Sequence, residues 1–507
     1  MPIPTLMEGP AANVANSEIA DHLFLRLANL GPELITSGDR SFVPQLAKAW
    51  TRRDSVTLAF DLDERAQWQD GVPVTAQDVL FTLERARNPA IAPRLAELLR
   101  NVVSVTAEND RRVVFRFSHP YGEQLYDAVW HVAPLPAHLL DGIPPAQLRQ
   151  SSFVGNPVGD GPYRWVRSVP GQFIELAANE RFFLGRPGIS RVVVRTASDP
   201  DARMNLILSR GADAMDNIPP PLSNLKRMGE DTEIRLIPVP SPTLGFLLFN
   251  QRDPVDTSRP HPVLTDRDVR RAIILSLDRT LLVRAVYGQY GEVPYGPTSA
   301  ILWIRHGTPK PAGLDRAQAR RLLSSRGWKD SDGDGVLDRD GMPLRLNLNY
   351  PSSSGARQQM ALLAQQQLRQ VGIDVVLRQF EFPLWSEHRN AGQFDIDFSA
   401  TSQDPSPSGL TQGWSCGGGT NAAHYCNPTV DSLIERAIGS SDRAREAWHA
   451  ALRQIEDDAP AAFLYAPSYV YAVHRRFGNV TIRPESSWLL LWKWTTGAPA
   501  ARRDAGY

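Results

Sequence analysis

VTLAFDLDERAQWQDGVPVTAQDVLFTLERAR, residues Val56 to Arg87, reads as a strand, a turn and a helix. Val56, Leu58, Phe60 and Leu62 alternate with small or polar residues, the period of a strand with one buried face. Gly71, Val72 and Pro73 break the chain. Thr75 followed by Asp78 is a capping-box-like start: the hydroxyl accepts an orphan N–H, and the carboxylate sits at the positive end of the helix. Val79, Leu80, Leu83 and Ala86 then recur at helical spacing.

Within this stretch, WQDGVPVTAQDVLFTLERA resembles the signature W-x-D-G-x-P-x-T-A-x-D-V-x-F-(S/T)-x-E-R of the peptide/nickel-type solute-binding proteins of ABC transporters. Further matches flank it. FVPQLAKAW (Phe42 to Trp50) resembles the family's P-x-L-A-x-S-W, and PVGDGPY (Pro157 to Tyr163) its P-(V/I)-G-T-G-P-Y, with Asp160 where the family usually has Thr. The segment Val263 to Gly291, whose Thr265 and Asp268 repeat the capping pattern, is similar to its D-x-R-V-R-x-A-(I/L)-x-x-A-(I/L)-D-R helix.

The resemblance, from about Phe42 to Phe477, implies an α/β fold: a two-lobed periplasmic-binding-protein-like architecture of type II, with mixed sheets and an extra inserted domain. It places 1–38, 155–250 and 471–507 in lobe I, 39–154 in the inserted domain and 251–470 in lobe III. The implied function is that of the substrate-binding component of an ABC importer. It captures a small polar solute by closing its lobes and delivers it to the transmembrane permease subunits. The leading ligand class is an oligo- or dipeptide; an oligosaccharide, an opine-like conjugate or a metal chelate are alternatives.

Composition agrees with a globular protein: 507 residues, 42% hydrophobic, 22% charged and a formal net charge of +0. That length exceeds one hydrophobic core, and the balanced charge argues against a nucleic-acid partner. No apolar run reaches the ~18 residues of a bilayer span. The N-terminus has neither the basic nor the apolar region of a signal peptide. A mature, exported, monomeric chain at the periplasm or cell surface is expected, with a cytosolic protein as the alternative.

Several stretches are candidates for chemistry. In DSDGDGVLDRDG (Asp330 to Gly341), Asp330, Asp332, Asp334, Val336 and Asp338 occupy calcium-loop positions 1, 3, 5, 7 and 9, but position 12 is Gly341 and not the closing Glu. The plainer reading is an acidic surface hairpin; no cofactor is expected beyond calcium in this loop. The two cysteines, Cys416 and Cys426, are close enough across a Gly-rich spacer to form a disulfide. Two unrelated buried thiols are the alternative. The long segment Phe394 to Pro428 supplies Asp404, Trp414, Asn421 and Tyr425 as candidate ligand contacts, since a polar solute needs apolar walls and a few placed hydrogen bonds. In the peptide-binding members of the family an aspartate of this loop pairs with the ligand's α-amino group. Counting from Phe394 places it near Asp404; aligning on Asp-Pro places it near Thr401. Asn250 closes a predicted strand and could border a cleft or make a turn. Trp385 and Arg389 resemble pocket positions of oligopeptide binders, and Arg389 could meet a carboxylate bidentately or be a solvated helix-face residue. Asn13, Asn16 and Ser17 stand before an expected helix from Ile19 to Leu30, as ligand contacts or as its cap.

Enzyme signatures such as G-x-S-x-G, H-E-x-x-H and G-x-x-x-x-G-K-(S/T) do not occur. No catalytic residue is expected. A hydrolase using cleft carboxylates is the alternative from another class; it needs two close acids in the irregular loop, where beyond the strand-like Asp395 and Asp397 there is only Asp404. A sensor is the other, but no fused segment for one is visible.

Overall fold

The structure, a computed structural model, describes residues 14–197, 199–441 and 443–497. Asn13 lies outside these residues, and so do the side chains of Asn16 and Ser17. The chain forms two compact units. The first comprises residues up to Asp216, Asp231–Arg235 and those from Ala472 onward; the second comprises Asn217–Glu230 and Leu236–Tyr471. Residues 217–230 and 236–250, which the resemblance groups with the first lobe, lie in the second unit, where the strand Thr243–Phe249 is hydrogen-bonded on both edges.

In the first unit, helix α1 (Val14–Leu23) precedes an antiparallel sheet of β1 (Ala47–Asp54), β2 (Thr57–Leu62), β3 (Val102–Asn109) and β4 (Arg112–Phe117), in the order β1-β2-β4-β3. Helix α2 (Ala76–Ala86) begins at Thr75, whose N–H donates to Asp78 Oδ2 at 2.8 Å, closing the expected cap. Its Val79, Phe81, Leu83 and Ala86 are buried. Helices α3 (Pro93–Leu98) and α4 (Gln124–Val129) belong to the same unit, and a second antiparallel sheet holds β5 (Tyr163–Val169), β6 (Phe173–Ala178) and β7 (Arg191–Arg195).

The expected helix Ile19 to Leu30 ends at Leu23, and Ala28–Leu30 is a short strand. The cause is tertiary. Asp160 N–H and Gly161 N–H both donate to Leu23 O, at 3.0 and 2.8 Å, and Asp160 Oδ1 accepts from Leu25 N–H at 2.9 Å. The Pro157–Tyr163 motif thereby takes the carbonyl and amide that the next helical turn would use. The same motif meets the signature stretch, because Gln69 N–H donates to Gly159 O at 2.8 Å and Gln69 Nε2 to Tyr163 O at 2.8 Å.

Two buried titratable groups flank this junction. Burial pushes the Asp160 carboxyl up from 3.8 to about 8, against the pull of the Leu25 and Asp160 N–H groups. Burial also pulls His22 down from 6.5 to about 4. Both are held neutral, so their pH signs are opposite. The Asp160 penalty grows as pH rises from about 4 to about 8, where the unfolded carboxylate is already charged. The His22 penalty grows as pH falls from 6.5 to about 4. Asp160→Asn is therefore expected to stabilise the first unit by roughly 3–5 kcal/mol at pH 8 and by nothing at pH 4. Thermal melts at the two pH values check this; equal shifts at both would refute it.

The second unit is built on a mixed sheet. Strand β9 (Thr243–Phe249) pairs antiparallel with β12 (Ile396–Ser402) and with β13 (Ala461–His474). Strand β10 (Arg345–Pro351) pairs parallel with β12 and with β11 (Asp374–Phe380). The chain passes between the units inside β8 (Ile234–Pro240) and inside β13. Helices α5 (Arg267–Ser276), α6 (Arg279–Tyr287), α7 (Arg316–Ser325) and α8 (Gly355–Arg369) bury Val269, Ile273, Leu282, Leu323, Met360 and Leu368 in one core with Leu247, Leu348 and Phe398 of the sheet. The cap of α5 is Asp266, one residue beyond the expected Thr265: Asp266 accepts from Asp268 N–H, while Thr265 Oγ1 donates to His261 O at 2.6 Å. Helix α9 (Phe382–Asn390) follows β11. Among the described residues no helix is long and apolar enough to cross a membrane.

Candidate functional site

Strand β9 carries Gly245 where a Cβ would lie 2.1 Å from ring carbons of Tyr465 on β13, so glycine there leaves room for the phenol ring. That ring stands 5.1 Å from the ring of Tyr287, at the end of α6. The two tyrosines form one wall of a pocket of about 270 Å³ inside the second unit. Thr243 and Tyr469, joined by a 2.5 Å hydroxyl contact, line a second side. An apolar wall comes from Pro220, Pro221, Leu222 and Leu225.

One cation enters this pocket. Arg357 lies in the first turn of α8, where Ser354 accepts the Arg357 N–H as the cap. A positive side chain at a helix N-terminus opposes the macrodipole, so local helix stability does not explain it. Its Nη1 donates to Phe398 O at 3.3 Å, and its charge lies close enough to Tyr465 to favour the ionised phenol, against the effect of burial. Among the described residues no acidic side chain lies within 4 Å of it, whereas Arg389 has Asp397 at 3.7 Å. Burial raises Tyr287 and Tyr465, so both phenols stay neutral hydrogen-bonding groups. The arrangement suits an anionic group on a partly apolar solute. Neither periodicity nor a motif marked Arg357, Tyr287, Tyr465 or Tyr469. The one local signal is an arginine three residues after a Ser cap.

The residues singled out from the sequence are distributed differently. Asn250 is fully buried; its Nδ2 donates to Gly392 O and Phe394 O at 2.8 and 2.9 Å, and its Oδ1 accepts from Arg252 N–H. Asn421 Nδ2 donates to Ser415 O and Tyr425 O, at 2.9 and 2.6 Å. Tyr425 donates its hydroxyl to Asp458 at 2.5 Å, and Trp414 packs on Phe246 and Phe463. These groups are paired or packed within the second unit itself, several of them tying the loop to Phe246, Asp458 and Phe463. Asp404 is exposed, on the loop leaving β12, the strand that carries pocket residue Ala400. Trp385 and Arg389 both turn to Asp397: Trp385 Nε1 donates to its Oδ1 at 2.7 Å, and Arg389 Nε donates to Ser399 Oγ at 2.9 Å. Burial pushes Asp397 up to about 6, and the Ser399, Arg389 and Trp385 donors oppose that rise.

Cys416 and Cys426 form a disulfide with Cα atoms 4.1 Å apart. In the acidic hairpin, ligand oxygens of Asp330, Asp332 and Asp334 lie within 4.8 Å of one another and all three are exposed. Their carboxylates already accept loop N–H groups, from Gly333, Asp334 and Val336, and Asp338 accepts from Ser331.

Relatives agree with this architecture. The oligopeptide-binding protein AppA of Bacillus subtilis is 26% identical over 451 residues, which cover 86% of this chain and 80% of AppA. The structure of Bacillus subtilis AppA in complex with a nonapeptide superposes with a TM-score of 0.77 at 24% identity, covering 98% and 96% of the two chains. That of NikA from Brucella suis in complex with Fe(III)-EDTA gives 0.81 at 20% identity, covering 98% of each. Residues 41–422 match the model of bacterial extracellular solute-binding proteins, family 5, middle region. With that match spanning most of its length, the chain belongs to family 5 of the bacterial extracellular solute-binding proteins.

Proposed function

We propose that this protein is the substrate-binding component of an ABC importer for oligo- or dipeptides, working outside the cytoplasmic membrane. It captures its ligand by closure and passes it to the permease subunits. The observation that carries this reading is Arg357: a pocket cation with no acidic partner within 4 Å among the described residues, set among neutral phenols, suits a peptide's terminal carboxylate. The peptide-binding relative AppA supports the same ligand class. Asp404, exposed beyond β12, is the proposed partner of the ligand's amine, with Thr401 the other position the family pattern allows. Binding makes and breaks no bond, the monomer is the working form, and no nucleic acid takes part. The four-stranded sheet, whose strands among the described residues pair only with one another within residues 47–117, supports 39–154 as the inserted domain.

Native mass spectrometry of protein purified without refolding tests the reading, because a clamp that buries its ligand retains it. A peptide mass that leaves on unfolding is expected, together with a smaller radius of gyration when tripeptides are added to stripped protein. No bound mass and an unchanged radius across a tripeptide library would sink it. A retained polycarboxylate chelate would favour the second reading, which the Fe(III)-EDTA complex of NikA and the cationic pocket both support.

We also propose a structural calcium ion on Asp330, Asp332, Asp334, Asp338 and the Val336 carbonyl. Binding is expected to be weak, because Gly341 stands where a bidentate Glu closes such loops. Calorimetric titration of calcium into chelator-treated protein is expected to give heat only at high concentration. No heat at millimolar calcium would refute the site.

A further inference from the structure

The guanidinium of Arg357 stands 5.4 Å above the ring of Trp385, within cation–π range. Trp385 is only 6% exposed and is fixed at both ends. Phe382, one turn earlier on α9, packs against it with ring centroids 5.4 Å apart, and its indole N–H is committed to Asp397 Oδ1. Asp397 is itself wholly buried and held by Ser399, which in turn accepts from Arg389. A chain of fixed groups thus runs from Arg389 through Ser399, Asp397 and Trp385 to the face of the arginine that enters the pocket.

An arginine side chain has many rotamers, and fixing one costs entropy. A ligand that must immobilise it loses affinity accordingly, unless the protein has fixed it beforehand. The Trp385 ring and the Phe398 carbonyl confine the guanidinium before any ligand arrives.

We propose that Trp385 is a positioning residue of the binding site: anchored by Asp397, it orients Arg357 for the ligand's carboxylate without touching the ligand. This rests on the pocket being the carboxylate anchor, and it moves Trp385 from a contact to a support. It also gives Asp397 and Arg389 a task other than hydrolysis or direct capture.

The test uses the full-length protein and a tripeptide that binds the wild type, drawn from a mixed tripeptide library by native mass spectrometry and compared with its C-terminal amide by calorimetry. The readout is the acid-to-amide affinity ratio, which a merely structural role would not move. The wild type is expected to prefer the acid by about tenfold or more, since a hydrogen bond to a charged group contributes 1.5–3 kcal/mol. Trp385→Leu is expected to bring the ratio to within about threefold of one, and Trp385→Phe, which keeps an aromatic face, to retain most of it. If the leucine variant does not fold, Trp385→Met, long and apolar but without a π face, takes its place. A ratio unchanged in the leucine or methionine variant, while Arg357→Gln loses it, overturns the inference alone. A ratio unchanged in Arg357→Gln, or no tripeptide bound by the wild type, overturns the carboxylate reading of the pocket and this inference with it.

Discussion

Gly159→Ala is expected to unfold the first unit. A Cβ at Gly159 would lie 1.9 Å from Leu23 O and 2.8 Å from its carbonyl carbon. Both are backbone atoms, so no side chain can swing aside. Relief requires the Pro157–Tyr163 turn to leave the end of α1. That breaks the Asp160 and Gly161 N–H bonds to Leu23 O, the Leu25 N–H bond to Asp160 and the Gln69 N–H bond to Gly159 O. Each buried polar group left unpaired costs about 1–3 kcal/mol, so the loss is about 4 kcal/mol or more. A domain has roughly 5–15 kcal/mol to lose. The check is a thermal melt beside Gly155→Ala, where a Cβ meets only Ser152 O at 3.7 Å and little change is expected. Equal melts of the two variants would show that the close approach does not exist.

Arg357→Gln is expected to weaken binding of a free-acid tripeptide by about 10- to 100-fold, the worth of hydrogen bonds to a charged group. Stability should change little on balance, because the lost Phe398 O and Trp385 contacts are partly offset by removing a cation from a helix N-terminus. Loss of affinity with at most a small shift of the melt therefore separates recognition from folding. Calorimetry with wild type and variant gives the answer, and equal affinities would remove Arg357 from the site. Among the described residues it is the pocket's one charged lining group, so its effect should exceed that of Thr243 or Tyr469.

The signature stretch was legible because its meaning is local. The Thr75–Asp78 cap acts within a few residues and reappears as written; the strand reappears over Thr57–Leu62 with Leu58, Phe60 and Leu62 buried, although Val56 falls in the preceding turn and Ala59 is buried as well. The disulfide was legible for a similar reason: only nine residues, three of them glycine, separate its cysteines. Where the reading failed, distant chain intervened. Helix α1 stops at Leu23 because residues 160 and 161 take its carbonyl, and no pattern within 19–30 announces that.

Candidate contacts show the same limit from the other side. Asn250, Asn421 and Tyr425 are polar groups in plausible places, and a sequence shows that such groups must be paired when buried. It does not show whether the partner is a ligand or the chain's own carbonyls and carboxylates; here it is the chain's own.

Sequence by itself thus determined the family, the α/β elements and the cystine-tied loop, because each depends on short-range spacing or on long matched motifs. Only the tertiary structure decided where the pocket lies. Its walls come from segments near residues 220, 243, 287, 357, 400 and 467, which share no period and meet through the pairing of β9 with β12 and β13 and the packing of α6 and α8. The physical reason is that a binding site is defined by direction and distance between side chains, and those follow from long-range packing, which local order does not encode.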